Sequence, residues 1–589
     1  MNRLLERMFE NRGYGSDFLD NILLCNHAIP LGVKELCDRL DEYRNTQKLI
    51  VLLTDFDFDG ICSGIIGYGG LSELGFRVAL YKPDVTKGYG FGPEEIDDIV
   101  SQFPDVRAIL TADVGISAFK GIAYAKALGL DVFVTDHHKG DSSSKADVIV
   151  DPCRDEDENS YAYICGANVM YQVLRYYAEH YMPLNCGYYI EQIDRLRVFA
   201  GFGTISDSMP LYHENRPIVM DAVHICRMIF ANGEDSVLFS EIPGCNSYQC
   251  IFYGLRAMLM AYKEAGKIKS NKDITETFFG YYVAPMFNSI KRMGGLVENA
   301  YLVFFGSEIY AHDALEYLFD LNEQRKVLVA DKLKAMLSMN QPWFPYVYLT
   351  DAPGGICGLL AQQVISLTGM PTFVVHSDGD GYSGSGRCPV WLPFLQVGLP
   401  DGCSWWAAGH DVAFGFGCDS DDSMDAMVSH LESLIQTHKP SDDDLEVKPD
   451  FVISEFGDGD ADLDIPLLSN YVRSKEQCRP FGSGFASPNT EFRFAARSAT
   501  WHVIGKDHNH LKIVFPNGVN AMAFSDVEKI EAIVDPNTFD VDVTSLPKEI
   551  VMHGDWEFND FNDIITLQFI GHIVNLGDDY KVLESEDVD

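Results

Sequence analysis

The sequence predicts an α/β protein with several domains, and three observations lead to this prediction. Apolar runs rich in β-branched residues alternate with helical segments between about residues 48 and 150. A largely helical stretch follows as far as residue 340, and short strand-like runs fill the C-terminal part of the chain. At 589 residues the chain is too long for a single hydrophobic core.

The N-terminal part shows the alternation that is typical of a mostly parallel sheet. Five apolar runs are predicted as buried strands, at residues 48–54, 77–82, 106–112, 131–135 and 146–150. Helical segments such as "GICSGIIGYGGLSELG" separate the runs, which is the pattern of βαβ units. In open sheets of this kind, ligands bind just beyond the carboxyl ends of the strands.

The pattern divides the chain into five segments. They are an N-terminal domain with the candidate site (1–225), a helical connector (226–340), a smaller α/β domain (341–435), an acidic linker (436–478) and a β-rich C-terminal domain (479–589). Within the connector, residues 311–337 form the longest amphipathic pattern. The short runs "ATWHVIG" and "HLKIVF" near the C-terminus predict a small β-barrel.

Composition excludes several classes of protein. The net charge of −42 argues against a generally basic nucleic-acid binder, but it allows one local basic groove and suits carboxylates that hold divalent metals. The 14 cysteines include no CxxC pair, so we expect reduced thiols rather than disulfides or a zinc site. No long apolar run or signal peptide is visible, and we expect a cytoplasmic protein without a membrane span.

Acidic and imidazole side chains follow three of the five predicted strands. The first strand runs into "TDFDFDG", the third into "TADVG" and the fourth into "VTDHHKG", and a later "GTISD" adds one more carboxylate. The side chains are Asp55, Asp57, Asp59, Asp113, Asp136, His137, His138 and Asp207. Alone, each motif is more often a surface loop or a helix cap. Together, at one edge of a sheet, they favour a metal centre.

The ligand types narrow the choice of metal. Several carboxylates with one or two imidazoles and no thiolate select Mn²⁺ or Mg²⁺. One ion cannot balance so many carboxylates, so we expect two ions about 3.5–4 Å apart with a bridging aspartate. A pair of such ions activates water and stabilises charge on a phosphate, which predicts phosphoryl hydrolysis.

The motifs "DFDFDG", "TADVG", "DHH" and "GTISD", in this order, resemble the DHH phosphoesterase superfamily. Within it the chain is similar to the RecJ family of single-strand-specific 5′→3′ DNA exonucleases, as a divergent member. Further segments carry the likeness: "APMFNSIKRMG" (284–294), "SGSGR" (383–387), "AAGH" (407–410) and "RPFGSGFASP" (479–488). The resemblance implies a parallel-sheet DHH domain, a helical connector, a smaller α/β DHH-associated domain and a C-terminal OB-like β-barrel.

The resemblance also implies roles for individual residues. Two metal ions would be surrounded by Asp55, Asp57, Asp59, Asp113, His137 and Asp207, and Asp113 would bridge them. His138 would contact the scissile phosphate, and Asp136 would orient a histidine. Substrate-binding positions would be Tyr89, Asn288, Arg292, Ser385, Gly386, Arg387, Gly409 and His410. A glycine-rich turn followed by arginine suits a phosphate, because the backbone can approach it and the guanidinium binds it bidentately.

The chain departs from the family at three arginine positions, which are Asp84, Met286 and Gln363 here. Lys82 or Lys87 is a candidate substitute. These changes bear on the affinity for nucleic acid, on the length of the substrate and on the end of the strand that is preferred. They leave the set of metal-binding residues complete. Aromatic and basic side chains that are candidates for contacts with DNA, although most such residues belong to cores, are Phe91, Trp405, Trp406, Trp501, His510 and Lys512.

The expected function is 5′→3′ hydrolysis of single-stranded DNA in recombination and repair, by a monomer. A single-stranded-DNA-binding protein or a helicase is a candidate partner. One alternative is a DHH phosphodiesterase that acts on short oligonucleotides or RNA. Another is a related manganese-dependent pyrophosphatase, which the length of the chain disfavours. A non-catalytic nucleic-acid-binding scaffold is the alternative of a different class, and it is disfavoured because every metal position is filled.

Overall fold

A computed structural model of the chain describes most of its residues. They are residues 2–15, 18, 22, 29–85, 90–140, 145–154, 156–157, 163–232, 246–377, 379, 381–397, 405–441, 448–535, 537–561 and 564–575. The chain forms two compact units. The larger unit contains residues 25–445, and the smaller one combines residues 1–24 with residues 446–589.

The larger unit begins with a five-stranded sheet in which every pair of neighbours is parallel. Its strands are β1 (Leu49–Thr54), β2 (Val78–Tyr81), β3 (Val106–Ala112), β4 (Asp131–Thr135) and β5 (Val148–Val150), in the spatial order β2-β1-β3-β4-β5. Thr54 pairs with Ala112, and Ala112 pairs with Thr135. The residues that follow these three strands therefore leave the sheet side by side, and the predicted α/β fold with a parallel sheet is confirmed.

Helices cover both faces of this sheet, because alternate side chains of its strands point to opposite cores. In β1, Ile50 and Leu52 belong to one buried cluster, and Val51 and Leu53 belong to another. The first cluster contains residues of the helices Val33–Thr46, Phe58–Glu73 and Gly166–Tyr181, and the second those of the helices Pro93–Gln102 and Phe119–Ala127.

The predicted helical connector is helical in the structure. The helices Cys186–Arg195 and Arg197–Ser206 precede it, and the helix Asn215–Asn232 extends into it. The helices within it are Asn246–Glu264, Glu276–Phe278, Ala284–Met293, Val297–Phe305 and Glu308–Ser338, with a π-helical turn at Phe279–Val283. The last and longest helix contains the amphipathic stretch 311–337. In the part of the chain that the structure describes, none of the helices is both long enough and apolar enough to cross a membrane.

A second, mixed five-stranded sheet completes the larger unit. Its strands are β6 (Val347–Leu349), β7 (Thr372–Ser377), β8 (Tyr382–Arg387), β9 (Trp405–His410) and β10 (Ala413–Cys418), in the order β6-β7-β8-β10-β9. The helices Gly354–Thr368 and Asp421–His438 pack on it. This is the smaller α/β domain that the sequence predicts after the connector.

The smaller unit contains a seven-stranded sheet in the order β11-β12-β16-β17-β15-β14-β13. The strands are β11 (Phe451–Ser454), β12 (Thr490–Ala495), β13 (Thr500–Ile504), β14 (His510–Val514), β15 (Asn520–Ala523), β16 (Glu549–Phe561) and β17 (Ile564–Asn575). Among the described residues no ladder joins β11 to β13, so the expected closed barrel is wrong in this respect. The outer edge of β11 is instead bridged by its own following loop, where Ile453 pairs with Ala461.

Two segments of the smaller unit differ from the sequence-based picture. The expected acidic linker contains β11 and the helix Ile465–Glu476, whose apolar residues enter the core of the unit. The N-terminal helix Arg3–Asn11 buries its apolar face in the same core. Charged residues stand between the apolar positions of both elements, so the composition of these segments did not indicate a buried strand or helix. The five-segment division itself stays a prediction.

Arg12 should be important for the stability of the smaller unit. Its guanidinium donates to both carboxylate oxygens of Asp450, at 2.6 and 2.7 Å, and to the backbone oxygens of Ala486 and Ser487. Since the pair is largely buried, Arg12→Ala should lower the free energy of opening of β11 and β12 by about 2 kcal/mol. Hydrogen exchange of amides in these strands measures this. Arg7→Ala, which removes an exposed ion pair with Asp460, should change it by less than about 0.5 kcal/mol, and equal effects of the two changes would contradict the assignment.

Candidate metal centre

The carboxyl edge of the parallel sheet gathers the residues that the sequence singles out. Asp55 follows β1, Asp113 follows β3, and Asp136 follows β4. Asp57 is the N-cap of the helix Phe58–Glu73, where its carboxylate accepts from Gly60 N–H at 3.2 Å. This cap satisfies one backbone donor at the start of the helix and fixes the turn after β1.

Seven of the predicted side chains form three overlapping groups of potential ligands. Within each group one ligand atom of every residue lies within 4.8 Å of the others. The groups are Asp55, Asp57 and Asp113; Asp59, His137 and Asp207; and Asp113, His137 and His138. Asp113 takes part in two groups that share no other carboxylate. This position suits the bridging role predicted for it.

Burial and mutual repulsion make these carboxylates resist ionisation. Burial, followed by the charge of Asp207, raises the pKa of Asp59 to about 7. Burial, followed by the charge of Asp59, raises the pKa of Asp113 well above its ordinary value. The pKa of Asp55 is also raised, by burial and then by Asp57. Such a cluster favours the binding of positive charge.

Two buried polar atoms lie close together at the centre of the cluster. His137 Nε2 lies 3.1 Å from Asp113 Oδ1, 3.4 Å from Asp207 Oδ2 and 3.8 Å from Asp59 Oδ2. Among the described residues, neither His137 Nε2 nor Asp113 Oδ1 has a hydrogen-bond partner of acceptable geometry. Converging oxygen and imidazole donors with unsatisfied lone pairs are what a divalent ion requires, so the residues present fit Mn²⁺ or Mg²⁺.

Backbone groups of neighbouring helices hold Asp59 in the cluster. Its carboxylate accepts from Gly166 N–H at 2.7 Å and from Ala167 N–H at 3.1 Å, at the N-terminus of the helix Gly166–Tyr181. The positive end of that helix stabilises the ionised form. Glycine allows the close packing: a Cβ atom on Gly203 would lie 2.0 Å from Asp59 Oδ1, and one on Gly166 would lie 2.6 Å from Asp113 Oδ1.

Asp136 orients His138, as the sequence predicts for a supporting carboxylate. Its Oδ1 lies 2.8 Å from His138 Nδ1, and its Oδ2 accepts from Ile116 N–H at 2.9 Å. Burial opposes protonation of His138, but the bond to Asp136 prevails and raises the pKa of the imidazole. His138 is half-buried at the wall of a cavity.

The cavity beside the cluster has a volume of about 980 Å³. It extends from His138 to the turn after β3 and to Gly409 and Asp411 of the second sheet. Phe91 lies in the cavity wall but is almost wholly buried, so its ring belongs to the core. Tyr89 lies outside the described residues. His410 ends β9, and its side chain lies outside the described part of the structure.

Two side chains of the helix Ala284–Met293 reach the cluster. Asn288 Oδ1 accepts from Phe58 N–H at 2.8 Å, and its amide donates to Ser206 Oγ at 3.3 Å. Asn288 therefore joins the segments that carry Asp57 and Asp207. Lys291 Nζ lies 3.2 Å from Asp55 Oδ2 and 3.1 Å from Asp57 Oδ2. Although burial opposes it, the charge of Lys291 lowers the pKa of Asp57 to about 2.

Three arginines lie close together next to the second sheet. Burial, then the charges of Arg325 and Arg387, lower the pKa of Arg292 to about 10. Arg292 donates to Gly355 O at 3.4 Å, at the start of the helix Gly354–Thr368. The three guanidiniums and this helix N-terminus make a site for an anion.

The "SGSGR" segment, predicted as a turn, lies instead in the strand β8, and its Ser385 and Arg387 side chains lie beside the helix Gly354–Thr368. A Cβ atom on Gly358, the fifth residue of the helix, would lie 2.9 Å from Arg387 Nη2 and 3.4 Å from Ser385 Oγ. Gly386 lies in β8 against the ring of Phe414, where a side chain has no room.

Two basic residues near these sites, Lys291 and Arg325, are not among the residues that the sequence predicts for the site. Lys291 stands three positions after Asn288 on the helix Ala284–Met293, and this helical spacing was the available signal. Arg325 stands on the helix Glu308–Ser338, far from the selected residues in sequence, so no local spacing indicated its role.

The three family arginine positions differ in their surroundings, since Met286 is buried whereas Asp84 and Gln363 are exposed. Met286 is fully buried in the main core, where it receives a hydrogen bond from Tyr262. Gln363 is exposed beside Arg325 and Lys326. Lys82, a proposed substitute, is paired with Glu298 at 2.5 Å. Lys87 lies outside the described residues.

The aromatic candidates differ in exposure. Trp406 is exposed and covers Gly415 and Gly417 of β10, whereas Trp405 is half-buried against the core of the second sheet. Trp501 of the smaller unit is buried, with its indole N–H donating to Ala496 O, so it is not open to a ligand. His510 accepts from Ser525 N–H at 3.0 Å, and Lys512 is half-buried in β14.

Comparison with protein families agrees with the fold and the cluster. Residues 49–191 match the model of the DHH family, N-terminal domain, and residues 460–571 match the RecJ OB domain. The chain therefore contains a DHH-family N-terminal domain followed by a RecJ OB domain, and the resemblance drawn from the motifs is confirmed.

Relatives of the chain by sequence include several RecJ proteins. The chain is 24% identical over 355 residues to the single-stranded-DNA-specific exonuclease RecJ of Bacillus subtilis. This alignment covers 59% of this chain and 40% of the relative. It is 26% identical over 351 residues to the RecJ of Thermus thermophilus, and this alignment covers 59% of this chain and 46% of that protein. The matches thus span about half, or less, of these relatives.

Solved structures show the same fold. The structure of RecJ in complex with Mn²⁺ from Thermus thermophilus superposes with a TM-score of 0.69 at 20% identity, covering 97% of this chain and 75% of that one. The Mg²⁺ complex from the same organism gives a TM-score of 0.64 at 18% identity, covering 97% of this chain and 74% of that one. Both bound ions are those selected by the ligand types in this chain.

The close approach at Gly203 makes a specific prediction. Gly203→Ala should push the carboxylate of Asp59 away, because the added methyl would overlap Asp59 Oδ1. The affinity for Mn²⁺ should fall by roughly tenfold or more. Isothermal titration calorimetry measures this. Gly187→Ala, at a helical position with open space around it, should leave Mn²⁺ affinity unchanged; a Gly203→Ala protein that binds like the native one would refute the packing argument.

Proposed function

We propose that the chain is a metal-dependent exonuclease that degrades single-stranded DNA from the 5′ end. The observation that carries the proposal is the presence, within one compact unit, of a buried carboxylate–imidazole cluster and a cluster of three arginines at a helix N-terminus. The similar RecJ proteins, named as exonucleases specific for single-stranded DNA, support this activity and this substrate.

The metal ions would be held by the ligand groups around Asp113. One position draws on Asp59, His137 and Asp207, and the other on Asp55 and Asp57. When bound, Mn²⁺ or Mg²⁺ would activate water and stabilise negative charge on the attacked phosphate. The protein supplies the rest: it fixes the ligands through backbone N–H groups and packs them where water is scarce.

His138 is placed to act on the phosphate. The imidazole borders the cavity, and Asp136 holds it through Nδ1, so Nε2 is the atom that faces a substrate. Because Asp136 raises the pKa of His138, the ring tends to carry a proton. A protonated Nε2 donates a hydrogen bond to a phosphate oxygen and stabilises the charge that grows there during hydrolysis.

The arginine cluster would bind the phosphates of the strand. Arg325 and Arg387 both repel Arg292, and among the described residues none of the three arginines forms an ion pair with a carboxylate. A phosphate placed between them removes this repulsion and accepts bidentate hydrogen bonds. Ser385 and the N-terminus of the helix Gly354–Thr368 add neutral donors at the same place.

Single strands rather than duplexes suit a site of this kind, because isolated phosphates and unstacked bases reach buried donors and an exposed ring such as Trp406. The 5′→3′ direction, the role in recombination and repair, and a partnership with a single-stranded-DNA-binding protein or a helicase belong to the same proposal. They rest on the likeness to RecJ and not on contacts within this chain.

Asp113→Asn tests the activity with little change in backbone, because asparagine tolerates the left-handed conformation of Asp113 (φ 63°). Native protein with Mn²⁺ should release mononucleotides from single-stranded DNA blocked at the 3′ end, and none from DNA blocked at the 5′ end. Mass spectrometry of the products measures both. The variant should be slower by roughly three orders of magnitude, since the bridging charge is lost.

The matched control is Asp97→Asn, which removes an exposed carboxylate that bonds Tyr124 and should keep full activity. Products from the 5′-blocked strand alone would reverse the proposed direction. Cleavage of short oligonucleotides or RNA in preference to DNA would favour the phosphodiesterase alternative. Binding of DNA without any cleavage, with Mn²⁺ present, would point to the scaffold.

Arg387→Met should weaken substrate binding more than it slows the chemical step. Losing one charge-assisted contact with phosphate should raise KM by roughly tenfold or more, with a smaller change in kcat, and should reduce the salt dependence of DNA binding. Steady-state kinetics at two salt concentrations measure this. Arg107→Met is the control, because Arg107 lies at the opposite end of β3, is exposed, and donates from its guanidinium to the neighbouring Val106 O. An unchanged KM for Arg387→Met would remove Arg387 from the site.

A further inference from the structure

A protein cation already stands at one of the two candidate metal positions. Lys291 Nζ lies 3.2 Å from Asp55 Oδ2 and 3.1 Å from Asp57 Oδ2. These two carboxylates, with Asp113, form one of the three ligand groups. The ammonium thus contacts two of the three carboxylates that would hold an ion there.

The position of Lys291 is fixed by the fold. Asn288, one helical turn earlier on the helix Ala284–Met293, accepts from Phe58 N–H directly after Asp57. The same helix face therefore brings the lysine to the turn after β1. The ammonium also lies 5.3 Å from the centre of the Phe56 ring, which favours a cation.

The other ligand group has no such cation. Across the described residues, no lysine or arginine forms an ion pair with Asp59, Asp113 or Asp207, and the ionisable nitrogens near them belong to imidazoles. The two halves of the cluster are therefore unequal: one presents carboxylates to an imidazole, and the other presents carboxylates already compensated by an ammonium.

We propose that Lys291 competes with a divalent ion for the Asp55–Asp57–Asp113 position, so that the two metal positions differ in affinity. The inference rests on the proposed metal centre. The first ion binds at Asp59, His137 and Asp207. The second ion binds only when the ammonium moves away, because the two cations need the same carboxylate oxygens and repel each other.

Displacement of Lys291 is feasible. Its side chain is 39% exposed, and its flexible stem lets the ammonium turn toward solvent without moving the helix. The second position would then fill only at high metal concentration, or when another anion, such as the phosphate of a substrate, binds the displaced ammonium. Lys291 would make completion of the metal pair depend on substrate.

Titration with Mn²⁺ tests the proposal without an activity assay. The free Mn²⁺ signal in electron paramagnetic resonance gives the number of bound ions and their affinities. Native protein should show one tight and one weaker site. Lys291→Met removes the charge and keeps the stem, and it should tighten the weaker site by roughly tenfold or more while leaving the tight site unchanged. Lys291→Arg keeps the charge and should retain a weak second site.

Lys326→Met is the control, because Lys326 pairs with the exposed Glu323 on the long connector helix and should leave both affinities as in the native protein. If the weaker site has the same Mn²⁺ affinity in the native and Lys291→Met proteins, the role of Lys291 is overturned and the metal centre stands. A weaker second site in Lys291→Met would also overturn it, because the lysine would then support the ligands. The absence of any bound Mn²⁺ in all variants would overturn the metal centre and the lysine together.

Discussion

The larger unit depends on the burial of several like charges at one edge of a parallel sheet. The register of β1, β3 and β4 leaves their last residues side by side, so Asp55, Asp113 and Asp136 leave the sheet as neighbours. Carboxylates this close and this buried are costly unless positive charge compensates them. The helix N-terminus at Gly166, the imidazole of His137 and the ammonium of Lys291 all meet that requirement.

The same constraint explains the small residues and the strained backbone around the cluster. Gly166 and Gly203 allow helices to approach the carboxylates of Asp113 and Asp59 more closely than any side chain would permit. Asp113 itself adopts a left-handed conformation, which is uncommon for residues other than glycine. The strain at Asp113 is offset by the packing around it, and its result is a carboxylate that faces both ligand groups.

Much of this could be predicted from the sequence, because strands, helix caps and strand-end carboxylates are encoded locally. Asp57 is an example: its position before a helix and after a strand sets both its cap and its place in the cluster. What could not be predicted depends on contacts between distant segments. Lys291 reaches Asp55 across 236 positions of sequence, and Arg12 reaches Asp450 across 438. The open edge at β11 depends likewise on how a loop folds back, which no periodicity reveals.

The distribution of charge over the larger unit follows from its chemistry. A chain with a net charge of −42 repels nucleic acid over most of its surface. Yet Arg292 and Arg387 are partly buried, and burial, followed by the charges of Arg325 and Arg387, lowers the pKa of Arg292. Asp57 offsets a part of this cost at Arg292, but among the described residues no carboxylate forms an ion pair with either arginine. Since folding alone gains nothing from keeping these cations together, their arrangement is best explained by an anion that binds them, and a phosphate delivered there also lies in the unit that holds the carboxylate cluster.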